Sequence, residues 1–196
     1  MICKKRVQLI HYSSQPGGIE VLLPLLIGNL KSYCFNSFVL RPSNEADYNV
    51  YKDTPIKISY GTSGLSTYWY LFKYAVKNRK DVFHVFNIGP YALIVLRLAG
   101  VRNLIYSIHG TIYWKNRSQH VLRKIIWKLA MSSKYIITSN SVFSGEVFKN
   151  KVLPQTNPIL LYNPIDPQRF INFGARIEDK TKIKIVYSGR LAHGKN

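Results

Sequence analysis

The sequence has few acidic residues, few cysteines and no long hydrophobic run. Only 9 Asp and Glu residues accompany 28 Lys and Arg residues, so the 196-residue chain carries a formal net charge of +19 at pH 7. A charge imbalance of this size does not determine the fold. It favours anionic partners such as a membrane surface, a nucleic acid or a phosphorylated ligand.

Two cysteines, Cys3 and Cys34, are too few for a disulfide framework or a cysteine-based metal cluster, and they fit a reducing cytosol. The longest apolar runs, such as residues 21–27, fall short of the roughly 20 residues that a membrane-spanning helix needs. The apolar run after the basic N-terminus is too short for the core of a signal peptide, and His11 interrupts it. We therefore expect a protein that is soluble or attached to a membrane surface.

The hydrophobic pattern alternates between short, nearly continuous apolar runs and longer stretches with helical spacing. Strands are predicted at residues 6–12, 35–40, 56–60, 82–86, 103–108, 135–138 and 159–162, and helices at 19–33, 65–79, 91–99, 117–132 and from 139 or 141 to 148. Continuous apolar strands that alternate with helices are typical of a parallel sheet covered on both faces. The sequence therefore predicts an α/β fold with a Rossmann-like doubly wound parallel sheet.

The composition changes after Phe170. Residues 172–182 are polar and charged, as a linker is, whereas residues 183–188 form a new apolar strand. Because one strand cannot complete a sheet, we expect an N-terminal domain over residues 1–171, a linker over 172–182, and over 183–196 the first strand and loop of a truncated second domain.

Ligands of a doubly wound sheet bind beyond the carboxyl ends of its strands. The predicted ends lie at residues 13–18, 87–90, 109–110 and 139–141. Gly17 and Gly18 stand between the first strand and the first helix, where backbone N–H groups and the helix dipole favour a phosphate, although a plain tight turn explains them equally well. His109 ends a buried strand, which places its imidazole in the crevice. His84 lies in mid-strand and is expected to be a core histidine.

Five short motifs stand in the order and rough spacing of a known family. They are Gly-Gly-Ile-Glu at 17–20, Asp-Val-Phe-His at 81–84, Ser-Ile-His-Gly at 107–110, Tyr-Asn-Pro-Ile-Asp with Arg-Phe at 162–170, and Gly-Arg-Leu with a Lys four residues later at 189–195. With them the chain resembles glycosyltransferase family 4, whose members are retaining, metal-independent enzymes of the GT-B fold. The resemblance implies the N-terminal, acceptor-binding half of a GT-B fold and a nucleotide-diphosphate sugar as donor.

The resemblance also implies roles for individual residues. His109 matches the histidine beside the donor sugar at the reaction centre, and Gly17 and Gly18 match the loop that approaches the donor diphosphate and the acceptor. Arg190 and Lys195 match the cations that neutralise the leaving diphosphate, where charge builds up as the glycosidic bond breaks.

Three further strand-end residues, Asn87, Gly110 and Ser139, are assigned to the acceptor, and no metal or other cofactor is expected. The sequence departs from the family pattern at Phe86, where a second histidine is common, and at Pro164, where a glycine is common. The family's motif of two glutamates separated by seven residues belongs to the second domain and is absent here. We therefore expect the isolated chain to be inactive without a donor-binding domain.

The positive charge gathers on two predicted helices. In the helix at 117–132, Leu122, Ile125, Ile126 and Leu129 share a face that we expect to pack on the sheet. Cations and one tryptophan are expected to point outward, a pattern typical of a membrane interface. The predicted membrane-facing residues are Lys73, Lys77, Arg123, Lys124, Trp127 and Lys128.

We therefore expect a cytoplasmic protein, peripherally attached to the inner face of an anionic membrane. The expected acceptor is lipid-linked or a glycan in cell-surface polysaccharide biosynthesis. A basic nucleic-acid-binding α/β protein is the alternative from charge, with a pI of about 10.0. The basic residues are nevertheless spread over the domain without a DNA or RNA motif, so no nucleic-acid partner is expected. A catalytically inert truncated product is the third alternative.

Overall fold

The computed structural model describes residues 5–13, 17–41, 56–62, 64–110 and 118–165. The strands are β1 Lys5–Ser13, β2 Tyr33–Arg41, β3 Lys57–Tyr60, β4 Val82–Phe86, β5 Leu104–Ile108, β6 Ile136–Ser139 and β7 Ile159–Leu160. The helices are α1 Gly18–Asn29, α2 Ser66–Asn78, α3 Pro90–Leu98, α4 Ser118–Ala130 and α5 Val142–Lys151. The predicted linker, Arg190 and Lys195 lie outside the described residues.

The described strands form one parallel sheet in the order β3-β2-β1-β4-β5-β6-β7. The chain moves outward from β1 to β3, crosses back to β4, and moves outward again to β7. The direction therefore reverses between β1 and β4, and the carboxyl edge beside this switch point is where such sheets bind ligands. This topology confirms the predicted α/β, Rossmann-like doubly wound fold.

The two faces of the sheet have separate cores because neighbouring residues of a strand point to opposite faces. One core joins α1 to β1, β2 and β4 through Leu23 and Ile27 of the helix and Val7 and Leu9 of β1. The other core receives side chains from α2, α3, α4 and α5. Each fully buried large apolar side chain contributes roughly 1.5–3 kcal/mol.

The orientation of α4 differs from the sequence-based expectation. Trp127, predicted to face outward, is 4% exposed, and its ring contacts those of Tyr106 and Phe148. Of the side chains predicted to face the sheet, Ile126 is half-buried, whereas Leu122, Ile125 and Leu129 are exposed. The prediction was wrong because a helix on a sheet buries only one stripe of side chains, and in α4 that stripe contains Trp127, whose indole fills the space beside α5. The leucine and isoleucine stripe is thereby turned to solvent.

Cys34 is disulfide-bonded. From the sequence, Cys3 and Cys34 are two thiols that fit a reducing cytosol, whereas the described Cys34 is not a free thiol. Within the described residues, no helix is long and apolar enough to cross a membrane.

The chain divides into two compact units, Met1–Ile165 and Asp166–Asn196. The second unit lies outside the described residues, so the predicted domain boundaries at 171 and 182 stay a prediction.

Candidate functional site

The carboxyl ends of β4 and β5 bring Asn87 and His109 to the same edge of the sheet. The backbone N–H of Asn87 donates a hydrogen bond of 2.9 Å to the carbonyl oxygen of Ser107, and Asn87 has a φ of +48°. This left-handed conformation is uncommon for residues other than glycine, and asparagine tolerates it better than most. A Cβ placed on Gly110 would lie 3.7 Å from the Asn87 Nδ2 atom. Asn87 and Gly110 are therefore neighbours at the edge, beside His109.

His109 is half-buried, with its ring centroid 5.6 Å from that of Phe86. Burial lowers the pKa of His109 below its usual value of 6.5. The imidazole is consequently neutral at pH 7, and a neutral ring has one nitrogen that donates and one that accepts a hydrogen bond. A ring in this state suits contact with a sugar hydroxyl.

A row of hydrogen bonds crosses three neighbouring strands below His109. His84 Nε2 and Ser107 Oγ lie 2.8 Å apart, and Ser107 Oγ and Thr138 Oγ1 lie 2.7 Å apart. Burial, and then the charge of the nearby His109, lowers the pKa of His84 to about 4. His84 is hydrogen-bonded, as expected of a core histidine, but it also lines a cavity.

That cavity, of about 50 Å³, opens at the carboxyl edge of the sheet. Its lining comprises Leu22, Leu23 and Leu26 of α1, His84, Phe86, Ser107, His109, Thr138 and Asn140 of the strand ends, and Leu161, Tyr162, Asn163 and Pro164. The volume suits one or two water-sized groups rather than a sugar ring, at roughly 30 Å³ per water. The cavity joins three of the five sequence motifs, which are far apart in the chain.

A second buried polar cluster lies at the end of β1. His11 Nδ1 is 2.8 Å from the carbonyl oxygen of Ser13, and His11 Nε2 is 2.9 Å from Ser37 Oγ. A carbonyl only accepts, so Nδ1 carries the proton and Nε2 accepts from the hydroxyl. Burial lowers the pKa of His11 to about 4, against a smaller opposing effect of the Ser13 carbonyl. The ring is therefore neutral although Glu20 Oε1 lies 3.9 Å away.

This cluster connects β1, β2 and the first turn of α1. Sequence reasoning missed it, since His11 was noted only as an interruption of an apolar run. The one signal was the glutamate of the Gly-Gly-Ile-Glu motif, Glu20, which the fold buries beside His11.

The Gly17-Gly18 segment begins α1 at the carboxyl edge. Gly17 is the extended N-cap residue, and its carbonyl accepts a hydrogen bond of 3.1 Å from the Val21 amide. A Cβ placed on Gly18 would meet no atom of the described residues within 4 Å, so their packing does not require a glycine there. Gly17 has no side chain to cap the helix, and the N–H groups of its first turn are suited to an anion.

Ser139 lies away from the cavity. Its hydroxyl donates a hydrogen bond of 2.8 Å to the Ser141 carbonyl, and a Cβ on Gly145 of α5 would lie 2.7 Å from its Oγ. Ser139 therefore faces α5, while Thr138, on the opposite face of the same strand, lines the cavity. The structure brings Asn87 and Gly110 to His109 but does not bring Ser139 there.

Five of the six predicted membrane-facing residues are exposed. These are Lys73, Lys77, Arg123, Lys124 and Lys128, and Trp127 is the buried exception described above. In α2 the exposed aromatic residue is Trp69, with the Lys73 Nζ atom 5.1 Å from its ring centroid. On α2 the exposed ring beside a cation is thus that of Trp69, while on α4 the cations accompany aliphatic side chains.

No group of three His, Cys, Asp or Glu side chains in the described part of the chain is placed to hold a metal ion. The expectation that no metal or other cofactor is needed stays a prediction.

A protein-family model described as glycosyl transferase 4-like matches residues 37–141, slightly more than half of the chain. The matched segment contains His84, Asn87, His109 and Gly110, and it does not contain the Gly17-Gly18 segment. No curated protein matches the chain.

Proposed function

Because the chain belongs to the glycosyl transferase 4-like family, we propose that it is the acceptor-binding half of a retaining transferase that uses a nucleotide-diphosphate sugar. Family membership makes a sugar donor and an acceptor its substrates. The observation that supports the proposal most is the cavity in which three distant motifs meet at the carboxyl edge.

In this proposal His109 contacts the donor sugar at the reaction centre. Its imidazole is neutral, half-buried and next to Asn87 and Gly110, so it offers a hydrogen bond without introducing a charge. The acceptor lies against Asn87 and Gly110. Ser139 is no longer part of the proposed acceptor site, because its hydroxyl faces α5.

The donor diphosphate lies against Gly17 and Gly18. No described atom lies within 4 Å of a Cβ placed on Gly18, and the first turn of α1 offers backbone N–H groups. Arg190 and Lys195 are the proposed cations for the leaving diphosphate. Charges fixed in advance stabilise the transition state more than the ground state.

We also propose that the chain attaches to an anionic membrane on its cytoplasmic side and glycosylates a lipid-linked or polysaccharide acceptor. Leu122, Ile125 and Leu129 of α4 are exposed on a helix that also carries exposed Arg123 and Lys124. Apolar side chains among cations suit a helix that lies in a lipid interface.

The alternative of a nucleic-acid-binding protein has only the net charge in its favour, and family membership counts against it. We further propose that transfer by this chain alone is slow, since the motif of two glutamates separated by seven residues is absent from its sequence.

Titration of the ¹⁵N-labelled chain with a panel of nucleotide-diphosphate sugars tests the proposal. We expect one sugar nucleotide to shift the amide resonances of Gly17, Gly18 and Gly110. His109→Ala should remove the dependence on the sugar, whereas Gln155→Ala, an exposed change outside the cavity lining, should not.

The matching nucleoside monophosphate, which lacks both the sugar and the second phosphate, is the control ligand. If no sugar nucleotide shifts these resonances at millimolar concentration, Gly17, Gly18 and Gly110 do not form a donor site in this chain alone. If the monophosphate shifts them equally, the proposed contact with the donor sugar is wrong.

A further inference from the structure

A second and larger cavity lies at the opposite edge of the sheet. It has a volume of about 700 Å³ and is formed by the residues that begin β1, β4, β5 and β6. Because the strands are parallel, their starts meet at one edge, far from the candidate site at their carboxyl ends. β4 and β5 have five residues each, so the two edges are about 15 Å apart.

Five cations from four separate segments line this cavity, which we name the amino-edge basin. They are Lys5 and Arg6 of β1, Lys80 before β4, Arg102 before β5 and Lys134 before β6. Asp81 is the one carboxylate in its described lining. The lining therefore has a formal charge of +4, and the cations come together only through the fold.

Asp81 is already engaged by other groups. Its Oδ1 atom lies 3.5 Å from Arg6 Nε, and its Oδ2 atom accepts a hydrogen bond of 2.8 Å from Gln8 Nε2. Among the described residues, no ion pair joins a carboxylate to Lys80, Arg102 or Lys134. The one carboxylate of the described basin is thus paired with Arg6 rather than with any of these three cations.

Helix dipoles do not account for the arrangement. A cation stabilises a helix when it lies in the last turn, and the effect falls off beyond it. Lys80, Arg102 and Lys134 follow the last residues of α2, α3 and α4, so they belong to the loops that enter the strands. Like charges in one concave site repel one another, and a bound anion relieves that repulsion.

We propose that the amino-edge basin is a second binding site, for a ligand with two or more clustered phosphate groups. Its volume is in the range of small-molecule pockets, roughly 300–1,000 Å³, and is ample for a compact polyphosphate. Lys offers point charges and Arg a planar fork of donors, and both are suited to phosphate oxygens. The separation from His109 makes the site independent of the proposed donor site.

Calorimetric titration of the whole chain with inorganic tripolyphosphate is the test. The variant Arg102→Gln/Lys134→Gln should bind at least about tenfold more weakly than wild type, because each lost charged contact costs about a factor of ten or more. The control Lys149→Gln/Lys151→Gln removes the same charge from exposed positions of α5 and should keep nearly wild-type affinity.

Vesicles distinguish a soluble ligand from a lipid headgroup. If the ligand is a lipid headgroup, vesicles that carry a bisphosphorylated inositol lipid should bind the protein more tightly than phosphatidylserine vesicles of the same charge. The variant Arg102→Gln/Lys134→Gln should then bind both kinds of vesicle equally. If the ligand is soluble, the same variant should bind tripolyphosphate more weakly than wild type but bind vesicles as tightly as wild type. Either result supports the basin as a phosphate site.

Three outcomes overturn the proposal. The first is that wild type does not bind tripolyphosphate at low salt. The second is that both double variants lose the same affinity, and the third is that Arg102→Gln/Lys134→Gln binds tripolyphosphate and vesicles as wild type does. Thermal unfolding followed by circular dichroism confirms that both variants are folded. The amide shifts of Gly17, Gly18 and Gly110 with a sugar nucleotide should be unchanged in the basin variant, so failure of one site is distinguishable from failure of the other.

Discussion

The rings of Trp127 in α4 and Phe148 in α5 meet edge to face, with centroids 5.3 Å apart and an interplanar angle of 89°. This contact attaches α4 to the core through its tryptophan and leaves the leucine and isoleucine stripe exposed. The same helix therefore has a structural residue and a candidate docking surface on different sides.

Trp127→Ala should lower the free energy of unfolding by about 3–5 kcal/mol, because it removes a large buried side chain and leaves a cavity. Leu129→Ala in the same helix should change it by less than about 0.5 kcal/mol, since that side chain is 59% exposed. Denaturant unfolding measures both. A neutral Trp127→Ala together with a costly Leu129→Ala would show that α4 has the opposite orientation.

The exposed stripe of α4 predicts membrane binding. Leu122→Gln/Ile125→Gln/Leu129→Gln should weaken co-sedimentation with anionic vesicles, because insertion of apolar side chains adds to electrostatic attraction. The control Val142→Gln/Phe143→Gln changes exposed apolar residues of α5. Equal sedimentation of the α4 variant and wild type, at low salt and at physiological salt, would leave the stripe without a role in membrane binding.

The two exposed glycines of α1 provide a matched pair for the donor site. Gly18→Glu places a negative charge where the diphosphate is proposed to lie, and Gly28→Glu places the same charge at the other end of the helix. Neither new Cβ meets an atom of the described residues within 4 Å, so we expect both variants to fold. Calorimetry should show weaker binding of the sugar nucleotide to Gly18→Glu by about tenfold or more, with little change for Gly28→Glu. A similar loss in both would indicate a general charge effect.

Two neutral buried histidines predict how stability depends on pH. The pKa values of His11 and His84 are lowered from 6.5 to about 4 in the folded protein. Above pH 6.5 neither histidine changes the free energy of unfolding, because each is neutral in both the folded and the unfolded state. Below it the unfolded state takes up the proton first, so stability is lost as pH falls from about 6.5 to 4, by at most roughly 3 kcal/mol for each histidine.

Unfolding by urea at several pH values between 4.5 and 7.5 measures this loss. His84→Asn, which retains a polar group but does not titrate, should show a smaller decrease than wild type. If the free energy of unfolding of the variant falls with pH as steeply as that of wild type, His84 is protonated in the folded state as readily as in the unfolded one.

The disulfide of Cys34 predicts that this residue resists alkylation. Trapping the protein at cell lysis with an excess of alkylating reagent, followed by mass spectrometry, should label Cys34 only after reduction. Labelling without reduction would show a free thiol and would agree with the proposed cytoplasmic side of the membrane.

The sequence was sufficient for the fold because continuous apolar strands alternate with helical stretches, and right-handed crossovers restrict how such units can assemble. It was also sufficient to place His109 at the carboxyl edge, since the residue follows a buried strand directly. Asn87 and Gly110 also follow strands directly, and the structure places both beside His109, while their role at the acceptor stays a prediction.

The missed features depend on information that a single strand or helix does not contain. Ser139 and Thr138 differ by one residue, and only the position of α5 decides which of them lines the cavity. The orientation of α4 depends on the space beside Phe148, which periodicity does not report. The cluster of His11, Ser37 and Glu20 requires the pairing of β1 with β2, and the amino-edge basin requires the order of four strands.

The row from His84 through Ser107 to Thr138 has a direction. In one arrangement the Ser107 hydroxyl donates to His84 Nε2, and Ser107 Oγ then accepts from the Thr138 hydroxyl. In the other arrangement Nε2 carries the proton and donates to Ser107, and the Ser107 hydroxyl donates to Thr138. The tautomer of one imidazole therefore sets the polarity of hydroxyl groups on two neighbouring strands. A ligand group that contacts Nδ1 of His84 would select that tautomer and thereby reorient the hydroxyl of Thr138, which also lines the cavity.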